Sequence, residues 1–294
     1  MMASPMSTSA DTALTMISPD GVRISYLTMG TGPAVIVIPG ALSVAVDYTA
    51  FATALAEQFT VHIIERRGRG LSSPQGPAYS IDTEREDVLA LQRKTGASFL
   101  VGHSFGGLVA LEVARDNASL AKIAVYEPGV SIDGSVPTGW MRGYQEKLAE
   151  QKHLDAFVEF IRGMNPESAG KTPPWLMKRL LPLFLSSAER TQLLGLLEQN
   201  LREHQEVARL DNTYTAYREI SASVLLMYGG KGHASKTEET MRRLAAVLPR
   251  SDMRVFPKLD HFGIDKKAPR EVGRAVGAYF LKEHIVRRVA PLSG

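Results

Sequence analysis

The stretch Val101-Gly102-His103-Ser104-Phe105-Gly106-Gly107 constrains this chain more than any other. It holds the pattern G-x-S-x-G, with a strand expected from Ser98 to Val101 and a helix from Gly107 to Asn117. A serine on so tight a strand-to-helix turn takes a strained backbone conformation, so the positions two before and two after it must lack bulk. The turn pushes the hydroxyl into a cleft at the helix N-terminus, where partial positive charge favours a developing oxyanion.

The rest of the chain supplies the setting. Val22 to Thr28 alternates like a half-buried strand, and Ala34 to Ile38 is continuously apolar and branched, as a strand buried on both faces is. Tyr48 to Glu57 reads as a helix, Phe59 to Ile64 as a strand, Ile81 to Lys94 as a helix that Asp82 with Arg85 or Glu86 would cap, and Leu120 to Tyr126 as a strand. The alternation resumes with strand Val224 to Tyr228, helix Lys236 to Leu248, strand Met253 to Phe256 and helix Pro269 to Glu283. Such alternation argues for an α/β fold with a mostly parallel central sheet flanked by helices. Between Ser131 and Ile220 there are no strand candidates. Trp140, Tyr144 and Leu148, then Leu154, Phe157, Val158 and Ile161, recur at helical spacing, and Trp175 to Leu185 is apolar but interrupted by Pro182. This segment is expected to be a helical extension of the core, a lid over the site, or both. The division is a leader over 1–15, a core over 16–130 and 221–294, and an all-helical cap over 131–220.

Composition narrows the partners. The 294 residues carry a formal net charge of +3 and no cysteine, which excludes disulfides, thiolate nucleophiles and Cys-ligated metals, and gives no basis for a nucleic-acid or membrane partner. No apolar run approaches the roughly 20 residues that span a bilayer, and residues 1–15 lack the basic and apolar regions of a signal peptide. A cytoplasmic protein is the expectation.

A serine hydroxyl needs a base near neutral pH. Of the seven histidines, His261 follows a strand in Leu259-Asp260-His261-Phe262-Gly263, at the sheet edge where the base must stand. His103 is expected to pack beside the turn, His153 and His204 to serve the helical segment, His62 to lie within a strand and His284 near the chain end; His233 is a weaker rival at the same edge.

With Ser104 and His261 in those positions, the chain from Met16 to His284 resembles the α/β-hydrolase superfamily. Glu65-Arg66-Arg67-Gly68-Arg69-Gly70-Leu71-Ser72 resembles that family's D-x-R-G-x-G-x-S loop with Glu in place of Asp, and there Arg67 is expected to brace the loop. The family's usual acid follows the strand at Val224 to Tyr228, but here the loop reads Gly229-Gly230-Lys231-Gly232-His233. Glu127, in Tyr126-Glu127-Pro128-Gly129, stands where haloalkane dehalogenases and zearalenone-type lactonases carry theirs, so the resemblance implies Glu127 as the third triad member. The rival reading has it cap the helical segment or pair with an arginine; Glu238, Glu239 and Asp260 are the other acids. The oxyanion hole is expected from the amides of Phe105 and Ala41, with Leu42 as the alternative to Ala41.

Serine at position 104 speaks against dehalogenase and epoxide hydrolase chemistry, which on this fold uses aspartate. Neither a dinucleotide loop, a P-loop nor H-E-x-x-H is present, so no cofactor and no metal is implied. The expectation is a serine hydrolase acting on a carboxylic ester or lactone of a largely apolar small molecule. C–C bond hydrolysis, acyl transfer or perhydrolysis on the same triad stay open, as does a small-molecule receptor with residual turnover.

Overall fold

A computed structural model describes residues 13–232 and 234–282. The expected leader falls almost wholly outside these residues, as do His233 and His284. The described chain starts with a strand the sequence reading lacked, β1 (Leu14–Ile17), so the core begins two residues earlier than expected. It is followed by β2 (Arg23–Met29), β3 (Ala34–Ile38), α1 (Thr49–Leu55), β4 (Thr60–Glu65), α2 (Ile81–Thr95), β5 (Phe99–His103), α3 (Phe105–Ala114) and β6 (Lys122–Tyr126). After the helical segment come β7 (Ser223–Gly229), α9 (Ala234–Val247), β8 (Ser251–Phe256) and α10 (Pro269–Leu281).

The strands form one sheet in the order β1-β2-β4-β3-β5-β6-β7-β8. β2 runs antiparallel to both its neighbours, β1 and β4, and every other pair is parallel. The chain leaves β3 towards β4 on one side and returns to β5 on the other. The loops after β3 and β5 therefore lie side by side at the carboxyl edge, at the switch point where open parallel sheets bind ligands. Two apolar clusters cover the two faces. One joins Ile36, Leu100 and Ile123 to Val88 and Leu108, and the other joins Val37, Val101 and Ala124 to Phe51 and Val276. All ten residues of α3 are buried, so the helix that opens at Phe105 is held from every side.

Between β6 and β7 the chain makes α4 (Met141–Ala149), α5 (His153–Met164), α6 (Pro174–Phe184), α7 (Ser187–Gly195) and α8 (Leu197–Arg209), without a strand among these residues, as expected. Pro182 does not break α6, because it sits in the last turn, where the helix has little left to lose. This segment has its own cluster around Trp140, Tyr144, Phe157 and Leu197, against which Leu42 of the β3 loop packs. One cap reading needs correction. At the start of α2 the reciprocal hydrogen bonds run between Ser80 and Thr83, not through Asp82 with Arg85 or Glu86, because Ser80 is the residue with extended backbone before the first turn.

Candidate active site

Ser104 sits between β5 and α3 with φ 51° and ψ −122°, a conformation few side-chain-bearing residues adopt. The flanking glycines are explained by what a side chain would meet. A Cβ on Gly102 would lie 2.4 Å from the Gly106 carbonyl oxygen, and one on Gly106 would lie 2.1 Å from that of Ile38 and 2.5 Å from that of Pro39. The turn is thus packed backbone against backbone, with the β3 loop pressed onto it. The Ser104 carbonyl accepts from Gly107, Leu108 and Gly129, and its amide donates to Tyr126.

His261 and Glu127 meet as expected. The Nδ1 of His261 lies 2.8 Å from Oε2 of Glu127, whose Oε1 accepts from the Gly229 amide at 2.9 Å. Glu127, like Ser104, has a positive φ, 42°. The glycine that stands in place of an acid after β7 has a steric role: a Cβ on Gly229 would lie 2.6 Å from Asp260 Cα and from the Leu259 carbonyl. The His261 loop thus closes directly onto the end of β7, and the carboxylate reaches it from β6 instead. Since an ionised carboxylate only accepts, Nδ1 carries the proton and Nε2 is left free to take one. The protein around the ring disfavours its charge, but the Glu127 carboxylate outweighs this and raises the His261 pKa above the usual 6.5.

The other acids point elsewhere. Asp260 pairs with Lys267 and accepts from the Phe262 amide, and Glu238 pairs with Arg242 on the outer face of α9.

His103 packs beside the turn, as expected, and it links three loops. Its Nε2 lies 2.9 Å from the His261 carbonyl and its Nδ1 lies 2.6 Å from the Tyr48 hydroxyl. A carbonyl cannot donate, so Nε2 holds the proton and Nδ1 accepts from Tyr48, whose oxygen in turn accepts from the Gly40 amide at 3.0 Å. Burial first, and then His261, push the His103 pKa well below 6.5, so the ring stays neutral and this order of donors persists.

The Gly40 carbonyl is held as firmly: Nη2 of Arg66 donates to it at 2.9 Å. Among the described residues no peptide bond is cis. In a trans peptide the N–H points opposite to the C=O, so anchoring the Gly40 carbonyl aims the Ala41 N–H away from Arg66. Phe105 opens α3, and its amide is one of the donors that a helix start leaves without a partner inside the helix. Leu42, the alternative donor, has a φ of 55° and packs against the helical segment.

Arg67 braces its loop as expected, with Nε and Nη2 on Asp87 at 2.6 and 2.8 Å and Nη1 on Asp20 at 2.7 Å. His62 bonds Thr28 inside the sheet, His153 is exposed at the start of α5, and His204 is buried on α8 with Nδ1 on the Asn200 carbonyl. Tyr48 escaped sequence reading because it belongs to no spaced motif, and Arg66 because it stands at an unspecified position of the D-x-R-G-x-G-x-S pattern. The signal that could have found Arg66 is its place in a pair of arginines directly after a buried strand. Among the described residues no His, Asp or Glu cluster is arranged to hold a metal, and no helix is long and apolar enough to cross a membrane.

Comparison with known proteins agrees with this fold. The sequence profile of the Alpha/beta hydrolase family matches residues 35–275. An N-formylmaleamate deformylase from Pseudomonas putida is 34% identical over 155 residues, which cover 51% of this chain and 54% of that protein, about half of each. Haloalkane dehalogenase 2 from Mycobacterium tuberculosis is 25% identical over 270 residues, covering 86% of this chain and 90% of that protein. Among solved structures, an alpha/beta hydrolase from Sphaerobacter thermophilus matches with a TM-score of 0.77 at 26% identity, covering 91% of this chain and 100% of that one. The enol-lactonase from Burkholderia xenovorans shares the fold, with a TM-score of 0.69 at 17% identity over 92% of this chain and 100% of that one.

Proposed function

This chain belongs to the alpha/beta hydrolase family, and from that premise we propose that it is a serine hydrolase that cleaves a carboxylic ester or lactone of a largely apolar small molecule. The observation that carries the reading is the 2.8 Å contact between Glu127 Oε2 and His261 Nδ1. It sets the tautomer in which Nε2 can accept a proton, at the sheet edge where the strained Ser104 stands.

In this reaction Nε2 of His261 takes the Ser104 proton as Oγ attacks the carbonyl carbon. The amides of Phe105 and Ala41 receive the oxyanion. When the tetrahedral intermediate collapses, the C–O bond breaks and His261 returns the proton to the leaving alkoxide. Water, deprotonated by the same nitrogen, then attacks the acyl-serine; the acid leaves and Ser104 regains its proton. The Glu127 carboxylate, 2.8 Å from Nδ1, stabilises the imidazolium. The apolar cluster of the helical segment, which reaches the β3 loop through Leu42, favours an apolar substrate. The 34% identity to a deformylase over half of its length supports a second reading, C–N cleavage of an N-formyl amide by the same groups.

A stopped-flow assay on p-nitrophenyl esters of increasing acyl length tests the reading. Ser104→Ala is expected to lose about 10³-fold or more in kcat. Retention of most of the activity by that variant refutes the mechanism. Serine-dependent release of formate from N-formyl amides, with the esters left intact, selects the second reading.

A further inference from the structure

Beneath the β3 loop lies a buried ionic cluster that the reaction above does not use directly. Arg66 and Arg69, from the loop after β4, have side chains with 0% exposure, and so does Glu203 of α8. Nη2 of Arg69 donates to Oε1 of Glu203 at 2.6 Å, and Nη2 of Arg66 pairs with Oε2 at 3.1 Å. Gln75 donates to the same Oε1 at 3.4 Å. On its other side Arg66 reaches Glu84 at 2.9 Å, which also accepts from the Tyr79 hydroxyl. Burial disfavours the Glu203 charge, but Arg66 and Arg69 outweigh it and hold its carboxyl below the usual carboxylate range.

Both arginines also reach the β3 loop, while Nη1 of Arg69 donates to the Arg67 carbonyl of their own loop at 3.0 Å. Arg66 holds the Gly40 carbonyl at 2.9 Å, and Nε of Arg69 holds the Ser43 carbonyl at 2.9 Å. The Arg66 guanidinium also lies 4.9 Å from the centre of the Phe105 ring. Both residues whose amides are assigned to the oxyanion are therefore touched, one through its peptide and one through its ring, by an arginine that a carboxylate of the helical segment holds in place.

We propose that Glu203 is a positioning residue for the oxyanion hole: by fixing Arg66 and Arg69 it locks the Gly40–Ala41 peptide in the orientation that aims the Ala41 N–H at the reacting carbonyl. The inference rests on the serine-hydrolase reading. It makes the seating of α8 on the core a condition of full reactivity, and it makes the effect specific to the transition state, since an oxyanion needs the aimed N–H more than a ground-state carbonyl does. Loss of one direct oxyanion donor costs about 10²–10³ in rate, and a loosened donor costs less.

The probe is an alkyl fluorophosphonate. Ser104 Oγ forms a bond to phosphorus, fluoride leaves with the P–F electron pair, His261 takes the serine proton, and the P=O oxygen occupies the oxyanion hole. Labelling of the full chain at several probe concentrations separates the maximal inactivation rate from the half-saturating concentration. Glu203→Gln keeps the shape and one acceptor for Arg69 but removes the charge. It is expected to lower the maximal rate about 10- to 100-fold, with half-saturation within about threefold of wild type and an unfolding transition that is still cooperative. Arg66→Lys keeps the cation between Glu84 and Glu203 but loses the planar fork that spans them and the Gly40 carbonyl; it is expected to show the same split, and it serves as the test if Glu203→Gln does not fold. An unchanged maximal rate in a folded variant overturns the proposal, as does a defect confined to half-saturation. Labelling of Ser104→Ala at the wild-type rate, or no labelling of wild type, refutes the serine reading itself and this inference with it.

Discussion

Tyr48→Phe separates the hydrogen-bonded chain around His103 from simple packing. The phenol ring is fully buried in the cluster on one face of the sheet, and phenylalanine fills the same space, so no cavity forms. What disappears is one oxygen that serves two groups: it accepts from the Gly40 amide at 3.0 Å and donates to His103 Nδ1 at 2.6 Å. His103 is 3% exposed, so water does not readily replace the lost partner. Leaving a buried donor or acceptor unsatisfied costs about 1–3 kcal/mol, so the two together predict a loss of about 2–6 kcal/mol. Both tryptophans, Trp140 and Trp175, lie in the helical segment, so their fluorescence reports on that part alone. Denaturant unfolding followed by far-ultraviolet circular dichroism is the better readout. A loss under about 1 kcal/mol, the worth of an ordinary net hydrogen bond, would mean that Gly40 and His103 find other partners, and the chain would not be what ties the three loops together.

Three further expectations follow from the same geometry. His261 acts only when neutral, and Glu127 raises its pKa above 6.5, so kcat/KM should rise with pH through a midpoint above that value and be lost below it. Glu127→Gln should move the midpoint down and cut kcat by about 10⁴-fold; an unmoved profile at full rate would remove Glu127 from the reaction. Gly106→Ala would put a methyl 2.1 Å from the Ile38 carbonyl oxygen, forcing the β3 loop and the Ser104 turn apart by about 1 Å, a misplacement that costs about 10²-fold in rate. A variant that keeps the wild-type acylation rate in a p-nitrophenyl ester assay would show that the turn tolerates bulk.

Much of the architecture was legible because it rests on local patterning. Ala34–Ile38 reads as a strand with the bounds it has, since a strand buried on both faces is an unbroken apolar run. β1 was missed because a four-residue edge strand, with three of its residues exposed, leaves little pattern to read. In the candidate site, Ser104 and His261 follow from the turn motif and the sheet edge, and Glu127 from a resemblance. Tyr48, Arg66 and Glu203 were not legible. Their roles depend on pairings across 55, 26 and 134 positions of chain, and no spacing rule encodes contacts at that range.

The backbone-to-backbone packing around Ser104 has a genetic consequence. At Gly102, Gly106 and Gly229 even a methyl group would meet a carbonyl oxygen within 2.6 Å. Apart from one change to a stop codon, a change in the first two bases of a glycine codon adds a side chain, so at these positions most point mutations arrive as a collision rather than as an alternative. The neighbourhood of the reaction can drift little by single substitutions, and inherited novelty in this lineage must enter through the longer side chains farther out, where a neighbour has room to give way.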